Sequence, residues 1–144
     1  MLKLPLHWVI LVGTVLLLNG CQLFTSHYDA TRHENFTKLK AVHIKFFDNW
    51  TQAPGKTWNQ EQVSSYCDHG DLSFREAFEF AKSKDSDDRT GQRAVKILWD
   101  EFEANCKLSL KQKKLFSQDF THELLPQIVE NYDYAIDGEL SRLK

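Results

Sequence analysis

The chain lacks the short motifs that usually mark an enzyme. No GxSxG, Walker loop, GxGxxG or haem-type CxxCH occurs in its 144 residues, so it writes no nucleophile elbow, nucleotide cradle or attached haem. It has no CxxC, HxxxH or HxH pair, and hence no local metal-ligand spacing. Internal repeats and low-complexity tracts are missing, and no convincing period-2 alternation signals a strand. Charge of one sign is missing too, with 18 Lys and Arg against 20 Asp and Glu. Nucleic acid needs clustered cation, and so does electrostatic attachment to anionic lipid. Both partners are therefore disfavoured.

What is present begins at the amino terminus. A single cation, Lys3, precedes an apolar run from Trp8 to Leu18, and the sequence turns polar directly after Cys21. A charged start, a short apolar core and a small residue before a cleavage point are the pattern of an export signal. The run falls short of the roughly twenty residues that span a bilayer, which speaks against a plain transmembrane anchor. A cysteine placed by chance after an ordinary secretion signal is the other bland reading.

The stretch Leu18-Asn19-Gly20-Cys21 resembles the lipobox of bacterial lipoproteins, with leucine three residues before the cysteine and a small residue next to it. The resemblance implies a signal peptide over residues 1–20. It implies that Cys21 begins the mature protein and carries acyl chains on its sulfur and amino group. Several chains on one anchor hold a protein to a membrane stably, where a single one does so marginally. Residues 21–28 then form a lipidated tether, with residues 22–28 spanning at most about 25 Å, and 29–144 a helical domain close to the membrane. In this family an aspartate after the cysteine retains the protein in the inner membrane; the residue here is Gln22. The resemblance thus favours the periplasmic face of the outer membrane.

Taking residues 1–20 from 144 leaves 124, a common size for one domain. It removes one of the 18 cations and none of the 20 anions, so the mature charge is −3. All ten Phe and three of the four Trp remain, enough for a substantial core. So do Cys67 and Cys106. In an oxidising compartment an even pair is most simply a disulfide. A metal pair or a redox couple are the alternatives, and neither a CxxC nor a second close pair supports them.

The hydrophobic spacing predicts an all-α bundle of about five helices with short connections and one disulfide. The first helix runs over 29–51 on the stripe Phe36, Leu39, Val42, Phe46, Phe47 and Trp50, and Pro54-Gly55 breaks the chain after it. Thr57 with Gln60 reads as a capping box for a second helix over 58–68, ended by Gly70. Ser73 with Glu76 reads as another, for a third over 73–82. The fourth spans 90–107, and Ser109 with Gln112 opens the fifth, which Pro126 either kinks or divides. On this reading Cys67 and Cys106 each fall in the last turn of a helix.

Candidate chemistry is sparse. His43 lies beside the apolar stripe of the first helix and is the candidate ligand; a buried, hydrogen-bonded core histidine is the competing reading. His122 could join it in space. Asp85, Asp87, Asp88 and Gly91 resemble a calcium loop only superficially, because its sixth and twelfth positions hold Thr90 and Lys96 instead of glycine and glutamate. Cys67 and His69 stand two apart, which sends them to different helix faces. Trp58, Tyr132 and Tyr134 are the candidate interaction surface; tyrosines two apart occupy different faces, so one of the pair is exposed, and exposed tyrosine suits interfaces. No catalytic residue, metal or cofactor is assigned. The expected role is non-catalytic binding or scaffolding of another cell-envelope protein. The alternatives are a carrier or sensor of an apolar or metal ligand in the bundle interior and, third, an enzyme acting on cell-wall material.

Overall fold

The computed structural model describes residues 28–84 and 89–143. The expected signal peptide, Cys21 and every residue of the expected tether before Tyr28 lie outside the described residues, as do Asp85, Asp87 and Asp88. Among the described residues four helices, instead of about five, make up the bundle: α1 (Ala30–Trp50), α2 (Gln60–Lys84), α3 (Thr90–Gln112) and α4 (Gln118–Leu140). A 3₁₀ turn, Ser141–Leu143, follows α4. No strand forms among the described residues; one isolated parallel bridge joins Thr51 and Phe116. Among the described residues no helix is long and apolar enough to cross a membrane.

Local chemistry sets the ends of the helices. The Asp29 carboxylate caps α1 by accepting from the amides of Thr31 and Arg32 at 2.9 and 3.1 Å. Beyond Trp50 the backbone is extended at Thr51, and Gly55 supplies a positive φ of 78° in the turn after Pro54. Asn59, not Thr57, starts α2, its side-chain oxygen accepting from Gln62 N at 2.9 Å. Lys113, in the left-handed region at φ 53°, ends α3. Ser117 caps α4 through Phe120 N at 3.2 Å.

The expected break at Gly70 and Ser73 does not occur, and the one expected at Ser109 falls later, between Gln112 and Gln118. Gly70 does not end a helix; it lies buried inside α2, where a Cβ would stand 2.3 Å from Phe102 Cζ on α3. Glycine is there to let two helices approach. Ser73 accordingly caps nothing, and its hydroxyl donates back to the His69 carbonyl within α2 at 3.2 Å. Ser109 is buried inside α3 and accepts from the Trp58 indole at 3.3 Å, so it opens no fifth helix. Pro126 lies within α4 without dividing it.

The helices run up, down, up and down. Three seams pack closely, α1 with α2, α2 with α3, and α1 with α4. The α3–α4 seam is sparsely packed. The core is largely aromatic: Phe46 meets Phe47, Phe102 and Phe116 edge-on with ring centroids 5.5–6.0 Å apart. One end of the bundle is knitted shut. There Phe116 donates to the Trp50 carbonyl and accepts from Gln52 N, both at 2.9 Å, and the Thr51 and Thr121 hydroxyls lie 2.7 Å apart.

The Cys67–Cys106 disulfide joins α2 to α3 across a Cα separation of 6.0 Å. Both cysteines sit well inside their helices, not in last turns, because each helix runs on past its expected end. The bridge spans 39 residues of sequence, and loop closure at that length is worth about 4 kcal/mol. Replacing both cysteines by alanine is expected to lower unfolding free energy in urea by up to that amount with the helical spectrum kept; an unchanged midpoint would refute the assignment. The glycines give a second test. Gly70→Ala should destabilise by roughly 1–3 kcal/mol through overpacking against Phe102. Gly138→Ala, where a Cβ meets nothing within 4 Å, should stabilise α4 by about 0.5–1 kcal/mol. Thermal melts of the two variants shifting in the same direction would contradict this reading.

Candidate functional site

Two features bear on function, a buried polar cluster and an open seam between α3 and α4. His43 projects from α1 into the centre of the bundle and is fully buried. Its Nδ1 lies 3.0 Å from the Tyr132 hydroxyl on α4, and its Nε2 lies 3.0 Å from Asn105 Nδ2 on α3. With the Asn105 amide donating to Nε2, the ring proton sits on Nδ1 and is donated to the Tyr132 oxygen. Phe102 and Tyr132 meet the imidazole edge-on, and Phe47 stacks against it.

Burial pushes the His43 pKa down to about 3. Protonation would also set a second N–H against the Asn105 amide. Burial first, then the Glu101 carboxylate, pushes the Tyr132 hydroxyl pKa upward, so it stays protonated. Tyr66, whose hydroxyl donates to the Val42 carbonyl at 2.8 Å, is pushed up to about 12 by burial and by Asp48. His43 is therefore a neutral hub with both nitrogens engaged by protein groups. Among the described residues no group of three or more His, Cys, Asp or Glu is placed to hold a metal. His122 is exposed on α4 and does not join His43.

The candidate interaction residues separate. Tyr132 is fully buried as the partner of His43, so it cannot present itself to another protein. Trp58 is half-buried at the closed end of the bundle, held by Ser109. Tyr134 is 71 % exposed and borders the open seam.

That seam is a groove of about 330 Å³ between the first half of α3 and the second half of α4. Its walls repeat at helical spacing, with Gly91, Ala94, Ile97 and Leu98 on α3 and Asn131, Tyr134, Ala135 and Gly138 on α4. Phe36 of α1 also lines it. The small residues leave the space, and Ile97, 63 % exposed, stands on its rim. One end holds the ionic group of Arg32, Glu139 and Arg142. Arg32 Nη1 binds Glu139 Oε1 at 3.0 Å in a buried pair, and Arg142 Nε lies 3.6 Å from the same oxygen. Sequence inspection missed Ile97 and this ion pair. Ile97 sits one position before the core residue Leu98, and its exposure depends on α4 standing away.

Comparison with protein-family models, with curated proteins and with solved structures finds no match to this chain.

His43 makes stability depend on pH. Below its ordinary pKa near 6.5 the unfolded chain binds a proton that the folded chain refuses until about pH 3. Unfolding free energy therefore falls as pH drops through that window, by up to about 1.4 kcal/mol per unit, and this contribution is flat above it. His43→Gln removes the titration, so the stability gap between wild type and variant should shrink steadily from pH 6.5 downward. Parallel pH profiles for the two proteins would show that His43 is not the buried neutral group described.

Proposed function

We propose that the protein is a membrane-anchored, periplasm-facing lipoprotein that binds another cell-envelope protein without catalysing a reaction. The observation that carries this reading is the α3–α4 groove. It is predominantly apolar, it lies between two helices, and Ile97 and Tyr134 stand exposed on its rim. Such a groove accepts the apolar face of a partner helix, with anchors spaced at helical intervals. Exposed aromatic and aliphatic side chains beside one another supply the desolvated centre that an interface needs. Glu139, the carboxylate in the lining, is already tied to Arg32, which favours recognition over acid–base chemistry.

The anchor belongs to the same proposal. The lipobox resemblance at Leu18-Asn19-Gly20-Cys21 supplies it, and Gln22 favours the outer membrane. A second reading moves the ligand-carrier alternative from the interior to the groove, because about 330 Å³ lies within the range of small-molecule sites.

Photo-crosslinking in native membranes, read by mass spectrometry, tests the proposal. With a probe placed at Ala94, a single stoichiometric protein adduct is expected. An Ile97→Lys/Tyr134→Lys double variant should lose it by at least about tenfold, a change of about 1.4 kcal/mol in binding, while its melting temperature stays within a degree or two. Leu72, 53 % exposed on α2, provides the control, and Leu72→Lys should leave the adduct intact. Adducts insensitive to the double variant would overturn the groove as the docking surface. A bound apolar small molecule in native mass spectra, with no protein adduct, would favour the second reading.

A further inference from the structure

The described chain begins beside the groove. Asp29 caps α1, and its amide lies 3.4 Å from Glu139 Oε2. Glu139 also lines the groove, and Phe36, two turns into α1, contributes to the same cavity. The residues preceding Tyr28 therefore join the bundle at the groove's ionic end, not at the knitted end where Trp58 sits.

Their chemistry matches the cavity. Gln22-Leu23-Phe24-Thr25-Ser26-His27 contains no acidic residue, Lys or Arg, and its two apolar side chains are adjacent. Docking Leu23 and Phe24 removes apolar surface from water without stripping a formal charge. Their length also fits. Phe24 stands five residues before Asp29, a reach of up to about 17 Å in extended chain. Along α4, Tyr134 stands five residues from Glu139, a rise of about 7.5 Å. Phe24 thus reaches the middle of the groove with chain to spare.

We propose that Leu23 and Phe24 of this chain occupy the α3–α4 groove and cover it until a partner displaces them. The inference rests on the same groove as the partner reading but names a different first occupant. Binding to the partner is then a competition, and the apparent affinity falls by the fraction of molecules whose groove is already filled.

The test uses the full chain with a benzophenone amino acid in place of Tyr134, an exposed position where an aromatic substitution leaves the core untouched. Irradiation of the purified protein, mixed with an isotopically heavy copy, is followed by proteolysis and mass spectrometry. An adduct between position 134 and the peptide carrying Leu23 and Phe24, within chains of one label, is expected. Leu23→Ser/Phe24→Ser should reduce that adduct by about tenfold or more, given the apolar area removed. In membranes it should raise the partner adduct correspondingly. Adducts joining light and heavy copies, or adducts to other parts of the chain, would overturn the proposal. A partner adduct of unchanged yield in the double variant would overturn it while leaving the groove reading intact. Loss of both the tether and the partner adduct would overturn the two together.

Discussion

The bundle depends on one imidazole. His43 on α1 holds Tyr132 of α4 through one nitrogen and Asn105 of α3 through the other. The direct α3–α4 seam is sparse, so α3 is placed relative to α4 mainly through its packing on α2 and that of α1 on α4, with the His43 link added between them. A buried polar link of this kind tolerates little substitution, because removing one member strands its partners without hydrogen bonds in an apolar interior. Its geometric effect is as important as its energy. Tyr132 immediately follows Asn131, a groove residue, and Asn105 lies two turns beyond Leu98 on α3. The hub is thus joined in sequence to the groove lining through Tyr132, though none of its three side chains lines the groove.

Much of this was legible in the residues. Three- and four-residue apolar spacing gave the all-α class and the first helix, though it divided α2 in two and opened the last helix at Ser109 instead of Gln118; an even pair of cysteines, read on the expectation of export, anticipated the Cys67–Cys106 bridge. The failures share a physical cause. Gly70, Ser73 and Ser109 are breaker or capping types by local chemistry, yet each sits inside a helix. Gly70 admits the Phe102 ring, Ser73 bonds back within its own helix, and Ser109 accepts the Trp58 indole. Tertiary packing overrides local preference at such places, and nothing in the flanking residues records it. The groove escaped for a similar reason. Ile97 belongs to an ordinary amphipathic pattern, and its exposure is a property of two helices distant in sequence.

The two ends of the molecule differ in construction. At one, backbone hydrogen bonds between Trp50, Gln52 and Phe116 and the Thr51–Thr121 contact join the two interhelical connections. At the other, the buried Arg32–Glu139 pair closes α1 on α4, while the small side chains of Gly91, Ala94, Ala135 and Gly138 leave the α3–α4 seam unfilled. A buried ion pair adds little net stability compared with apolar packing, but losing either partner leaves an uncompensated charge. It therefore specifies where α1 meets α4 more than it strengthens the contact.

The placement of the disulfide has a mechanical consequence. Cys67 and Cys106 staple α2 to α3, whereas a load applied at the amino terminus enters through α1. α1 packs on both α4 and α2, and on the α4 side Arg32–Glu139, Lys40–Asp133 and His43–Tyr132 lie in succession. These links are non-covalent and can yield while the stapled pair stays joined. Unfolding that releases α1 and α4 would therefore still leave a covalently closed α2–α3 hairpin, from which the rest could close again.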